Sequence, residues 1–296
     1  MAVTIRPLHP VFVGEVSGVD LREPLTADDV ESIDAGMAQY GVLVFHGKNI
    51  SDEQQADFSR NFGKLELPGN TSHIAKEEDR RLGPEMADLS NLDKQNRLLA
   101  RGDRYRMFNL ANRLWHSDSS FKAIPAKYSL LSGRVVTTEG GETQFADMRA
   151  AYDTLDPKTQ GEIENLICEH SMIYSRGALG FDDLSETEKQ TFKPVRQSLV
   201  RTHPVSGRKS IYLSSHIGQI IGWPRPEAMC LIRDLTEHAT QREFVYTHVW
   251  QQYDLVIWDN QQTMHRARPF DDVGEVRDVR RTTVAGDGPT AEQVAA

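Results

Sequence analysis

From Trp115 onward the chain is dominated by short apolar runs, and these limit the folds open to it more than any other feature. Tyr128-Ser129-Leu130-Leu131, Leu199-Val200-Arg201-Thr202, Ser210-Ile211-Tyr212-Leu213 and Asp254 to Asp259 have the length and side-chain content of strands. Helical patterns at about 147–155, 157–168 and 225–239 are set among them, and a polar insertion, Asp182 to Gln197, separates two strand groups. Many short strands with intervening helices predict a β barrel or sandwich elaborated by helices. No composition shift marks a domain boundary.

Upstream, residues 11–66 alternate helix and strand. Thr26 caps a helix with Val30, Ile33 and Met37 on one face, Gly41 ends it, and Val42-Leu43-Val44-Phe45 follows as a buried strand. Ser51-Asp52-Glu53-Gln54 is a capping box opening a helix that presents Phe58 and Phe62. Residues 68–110 are polar, charged and weakly periodic. A stretch of that length leading into the strongest motif of the chain is expected to be a lid.

The formal net charge of −9 disfavours a nucleic-acid partner. Two isolated cysteines, Cys168 and Cys230, form neither a disulfide framework nor a zinc-type spacing, and suit a reducing cytoplasm. No run reaches the length of a membrane span and the start lacks a leader pattern, so a cytoplasmic, membrane-free protein is expected.

The central motif is Trp115-His116-Ser117-Asp118. On a strand, residues two apart share a face, so His116 and Asp118 could reach one ion. His265, after the apolar strand ending at Asp259, is the natural third ligand. Two histidines and a carboxylate make the facial triad of Fe(II) oxygenases, with three positions left for a chelating 2-oxoacid and dioxygen. Zinc hydrolases use a similar donor set, so the triad alone leaves the metal open. Asp259 and Asn260 read as a turn after a strand, and His73, His170, His203, His238 and His248 as surface, turn or packing residues.

Three blocks together resemble the taurine dioxygenase superfamily: Leu114 to Phe121; Gly140-Gly141-Glu142-Thr143 with Phe145 to Tyr152; and Trp258-Asp259-Asn260 with His265, Arg277 and Arg281. Pro7 to Pro10, Val19 to Glu23, Arg60 to Gly63, Thr202-His203-Pro204, Ser206 to Lys209 and His238 to Tyr246 look like its aryloxyalkanoate-oxidising branch. The resemblance runs from about residue 7 to residue 285. It implies a mainly β chain with flanking helices, a double-stranded β-helix or jelly roll working as one domain over 1–296. It also implies Fe(II) at His116, Asp118 and His265, with 2-oxoglutarate as co-substrate. Thr143 would hydrogen-bond the distal carboxylate of 2-oxoglutarate and Arg277 would pair with it, since a guanidinium offers parallel donors to a carboxylate. A hairpin is expected to bring His265 and Arg277 together.

The implied reaction is hydroxylation of a small anionic substrate by dioxygen. The favoured substrate is a phenoxyacetate-type aryloxyalkanoate, cleaved at the ether to a phenol and glyoxylate; an alkylsulfonate or another small carboxylate is the alternative. Arg281 follows Arg277 by four residues, so on a strand both face one way about 13 Å apart. The resemblance makes Arg281 the holder of the substrate anion, with His216 and Arg97 as further substrate-binding candidates. A metal-dependent hydrolase and a non-catalytic sensor on this fold are the competing classes; a homo-oligomer is compatible with the chain.

Overall fold

The computed structural model describes residues 2–67 and 80–293, so His73 and the first part of the expected lid, 68–79, lie outside the described residues. The chain opens with strands β1 (Thr4–Pro7) and β2 (Gly14–Ser17), helix α1 (Ala27–Tyr40), β3 (Val42–Phe45) and α2 (Asp52–Arg60). Then come β4 (Ala87–Asp88), α3 (Arg104–Asn109), β5 (Ala126–Val135), β6 (Thr143–Asp147), α4 (Met148–Asp153), α5 (Pro157–Ile163) and β7 (Ile167–His170). Helices α6 (Met172–Gly177) and α7 (Glu186–Thr191) precede β8 (Val195–Ser198), β9 (Val200–Thr202), β10 (Lys209–Ile211) and β11 (Ile217–Ile220). Helix α8 (Arg225–Ala239) leads to β12 (Val245–His248), β13 (Leu255–Asp259), β14 (Thr263–Ala267) and β15 (Asp278–Ala285). No helix among the described residues is long and apolar enough to cross a membrane.

Local chemistry sets the first helices. Thr26 Oγ1 accepts from Asp29 N while the Asp29 carboxylate accepts from Thr26 N, and Gly41, at φ 72°, closes α1 in the left-handed conformation. Ser51 and Gln54 form the same reciprocal cap on α2.

Seven strands make the major sheet, in the order β1-β2-β3-β13-β5-β15-β4, and β12-β6-β14 make the minor one. The inner faces meet in a core where Val42, Val44, Leu131, Val256, Trp258 and Val279 pack against Phe145 and Tyr246. On the outer face of the major sheet, Leu43, Phe45, Leu130 and Ile257 pack against Ile33 and Met37 of α1 and Phe58 of α2. Behind the minor sheet, Ala146 and Met264 pack on Ala151 of α4 and Ile232 and Leu235 of α8. Alternation along each strand thus feeds two cores at once. The result is the expected jelly roll, with helices covering both outer faces.

Two expectations need correction. The helix expected over 157–168 ends at Ile163, because Ile167–His170 alternates buried and half-buried positions and pairs with β8 and β11. His265 and Arg277 are not joined by a hairpin: β14 pairs with β6 in the minor sheet and β15 with β5 in the major one. The two residues instead line one cavity from different sheets.

Candidate active site

His116 and His265 form an isolated antiparallel bridge, His116 N donating to His265 O at 3.0 Å and His265 N to His116 O at 2.9 Å. Their rings lie 4.2 Å apart between centroids. Asp118 is not on a regular strand, as the two-residue spacing suggested, but in a turn where Ser119 takes φ 53°. The turn still brings the carboxylate to the rings: one ligand atom from each of His116, Asp118 and His265 lies within 4.8 Å of the others, and all three residues are buried. His116 Nδ1 donates to Leu114 O at 2.8 Å, which leaves the Nε2 lone pair for a metal. Burial, the largest influence, drives both histidines below their usual pKa and keeps them in the neutral form that coordinates. Burial pushes the Asp118 carboxyl upward, but the Arg281 guanidinium, helped by the hydrogen bond from Ser129, outweighs it and holds it below the carboxylate range. A neutral pair of imidazoles beside a permanent carboxylate fits a divalent ion.

The support for Asp118 comes from residues whose role the sequence did not disclose. Asn260 Oδ1 accepts from Asp118 N at 3.0 Å and from Trp258 Nε1 at 3.1 Å. Asn260 Nδ2 donates to Ser129 Oγ at 3.0 Å, and Ser129 Oγ donates to Asp118 Oδ2 at 2.7 Å. Asp259 beside it is fully buried and bonded to His203 Nε2 at 3.1 Å and Gln262 Nε2 at 2.6 Å, so this turn is a buttress of the triad as well as the end of a strand. His203 also accepts from Ser206 N at 3.1 Å, in the turn-supporting place expected for it. The one available signal was Trp258-Asp259-Asn260 lying next to His265 in sequence.

Two cavities of about 110 and 100 Å³ flank the triad, and His116 and Arg281 line both. The first lies between the sheets and holds Thr143, Trp258, His265 and Arg277. Thr143 Oγ1 accepts from Trp250 Nε1 at 3.0 Å. Arg277 is 6% exposed, donates to Gly141 O at 3.1 Å and has no carboxylate partner among the described residues. Burial lowers its pKa to about 10. Such a guanidinium calls for an anion that the described residues do not supply. The two glycines before Thr143 make room for it. A Cβ at Gly140 (φ 71°) would lie 2.4 Å from Pro269 O, and one at Gly141 (φ 71°) 2.7 Å from Thr137 Oγ1 and 3.2 Å from Arg277 Nε.

The second cavity holds Asp118, Phe108, Phe121, Met172, Arg176 and His216. His216 is buried, 6.0 Å from His116 and 5.0 Å from Phe121 between ring centroids, so the structure brings it to the site. Arg281 reaches the triad as well, and its Nη1 is ion-paired with Asp118. Its neighbour Arg280 points to the other face, bonded to Asp52 and Asp278 at 2.8 Å each. Arg97 is not brought in: its side chain is 73% exposed, paired with Asp93 at 2.8 Å, and lines neither cavity. A tight turn carries it outward, with Arg97 N on Asp93 Oδ1 and Leu92 bridged to Leu98.

Residues 4–283 match the family model described as taurine catabolism dioxygenase TauD, TfdA family. The chain is 44% identical to the alpha-ketoglutarate-dependent 2,4-dichlorophenoxyacetate dioxygenase of Cupriavidus pinatubonensis, over 97% of this chain and 99% of the relative. It is 34% identical to the (S)-phenoxypropionate/alpha-ketoglutarate-dioxygenase of Sphingobium herbicidovorans, over 98% and 97%. Among solved structures it resembles AAD-2 in complex with Mn(II) and N-oxalylglycine, with TM-score 0.95 and 56% identity, covering 98% of this chain and 100% of that one. With a triad built on the bridged histidines and an arginine in the same cavity that has no acidic partner among the described residues, the chain belongs to the TauD/TfdA family of dioxygenases.

Proposed function

We propose that this protein is an Fe(II)- and 2-oxoglutarate-dependent dioxygenase that hydroxylates a phenoxyacetate-type aryloxyalkanoate next to its ether oxygen. The observation that carries the reading is Arg277, a buried cation with no acidic partner among the described residues, beside Thr143 and across from the triad. Fe(II) at His116, Asp118 and His265, with 2-oxoglutarate and dioxygen, would supply oxygen insertion coupled to decarboxylation of the co-substrate to succinate and carbon dioxide. Hydroxylation at the ether carbon gives a hemiacetal, which collapses to a phenol and glyoxylate.

The protein's own part is placement. Arg277 and Thr143 hold the distal carboxylate of 2-oxoglutarate, with Trp250 fixing the Thr143 hydroxyl. Asn260 and Ser129 hold Asp118 in one orientation. Arg281 and His216 face the substrate in the second cavity, where Phe108, Phe121 and Met172 suit an aromatic ring. Residues 80–110 cover the site. Leu89, Asn91 and Leu99 line the first cavity, and Arg81, bonded to Asp88 and Asp278, pins the segment to β15. The chain works as one dioxygenase domain, since every core layer includes one of its two main sheets. A cytoplasmic location accords with two cysteines that form no disulfide.

The test is turnover with phenoxyacetates, phenoxypropionates and alkylsulfonates under air and under argon. Succinate and phenol should form in equal amounts, only with both 2-oxoglutarate and oxygen. Succinate released with a sulfonate and none with any aryloxy acid would replace the substrate assignment, and product without 2-oxoglutarate would end the dioxygenase reading.

A further inference from the structure

Arg176, on α6, is a second buried guanidinium at the site, and nothing in the sequence motifs pointed to it. The residue is 4% exposed. Its Nη1 donates to Ser175 Oγ at 2.9 Å, its guanidinium lies 4.1 Å from the Phe108 ring centroid, and its Nε has no hydrogen-bond partner. No carboxylate pairs with it among the described residues. Stacking on an aromatic face softens the loss of water but does not neutralise the charge.

Position gives this cation a use. Arg176 lines the cavity that also contains His116, Asp118 and His216. Ser175 Oγ joins it to His216 Nδ1, 2.9 Å away, so the two side chains are set by one hydroxyl. The other cations of this cavity already have acidic partners, Arg281 in Asp118 and Lys122 in Glu66. Among the described residues nothing neutralises the charge of Arg176, and Phe108, which it stacks on, forms an aromatic wall next to it.

We propose that Arg176 is a specificity-determining residue that grips the acid group of the substrate from α6, opposite the strand that carries Arg281. This deepens the proposed function and rests on its placing of the substrate in the second cavity. An acid on an aromatic body meets both features of the wall: the anion meets a dehydrated guanidinium and the ring meets Phe108. A neutral aryl ether would leave Arg176 buried and unpaired, so the residue selects for acids as well as binding them.

The experiment is isothermal titration of the Mn(II)- and 2-oxoglutarate-loaded protein with phenoxyacetate, phenoxypropionate and an alkylsulfonate. Wild type is compared with Arg176→Met and Arg176→Lys. Affinity for whichever acid binds wild type should fall at least about tenfold in Arg176→Met and partly recover in Arg176→Lys. The titration constant for 2-oxoglutarate and the thermal midpoint should stay near wild type. Unchanged acid affinity in Arg176→Met overturns the proposal. So does a parallel loss of 2-oxoglutarate affinity and thermal stability that Arg176→Lys restores no better for acids, since that marks a packing role. If only the sulfonate binds wild type, the aryloxy assignment falls while Arg176 is judged on the sulfonate. If none of the acids binds, both fall.

Discussion

The two cavities that share His116 and Arg281 are built from different material. On the Arg277 side the functional groups sit on or next to strands held in register: Thr143 opens β6, His265 lies on β14 opposite Phe145, and Arg277 precedes β15. On the Arg176 side they come from short helices and turns: Phe108 from α3, Met172 and Arg176 from α6, and His216 from the turn before β11. Ladder hydrogen bonds fix a strand residue to its neighbours across the sheet, whereas a six-residue helix is held mainly by what it packs on. A co-substrate common to many reactions suits the first setting. A substrate that differs between relatives suits the second, where side chains change without disturbing a sheet.

The largest expected effect tests the wall the cavities share. Asp118→Ala removes the carboxylate from the donor set and strands Arg281 without its partner; metal content after gel filtration and 2-oxoglutarate consumption should both drop to background. Wild-type turnover in that variant would end the metal assignment. Arg281→Ala asks which side this arginine serves. Substrate hydroxylation should collapse while slow, uncoupled 2-oxoglutarate decarboxylation persists; a joint loss would place Arg281 with the co-substrate or with Asp118 alone.

Arg277→Ala should act on one side only. Removing one partner of a buried charge-assisted pair costs about 2–5 kcal/mol, so the KM for 2-oxoglutarate should rise at least about tenfold. Substrate affinity, measured by titration at saturating 2-oxoglutarate, should change little. An unchanged KM for 2-oxoglutarate would remove the role assigned to Arg277.

The smallest effect concerns what lies beneath each side. Strand β7, which leads into α6, carries His170, fully buried, stacked on Tyr212, with neither ring nitrogen hydrogen-bonded. Burial lowers its pKa from 6.5 to about 3. The unfolded chain therefore binds this proton before the folded one. The stability tied to neutral His170 is complete above pH 6.5 and is lost as pH falls toward 3. The slope is about 1.4 kcal/mol per pH unit for one proton. Denaturant midpoints should fall between pH 7 and pH 5, and His170→Phe should flatten that fall; equal slopes in both proteins would clear His170 of the effect.

Much of this was legible before any coordinates. Thr26 and Ser51 announce their helices because a capping hydroxyl acts over three residues, within the reach of local sequence. The strands of the two sheets show as apolar runs, although β7 was hidden in a helical pattern too short to separate the two periods. His116, Asp118 and His265 were readable as a set because their residue types suit one chemistry, even though the strand assumed for Asp118 is a turn.

What the tertiary structure decided is which of many similar residues face the site. The sequence contains numerous arginines, and spacing could not tell that Arg97 turns out to solvent on Asp93 while Arg176 turns inward onto Phe108. Nor could it tell that Asn260 and Ser129, 131 residues apart, meet around Asp118. Local sequence determines local hydrogen bonds and the alternation of faces. Desolvation and the presence or absence of a counter-charge are set by groups distant in the chain, so a buried unpaired cation becomes visible only once the sheets have closed.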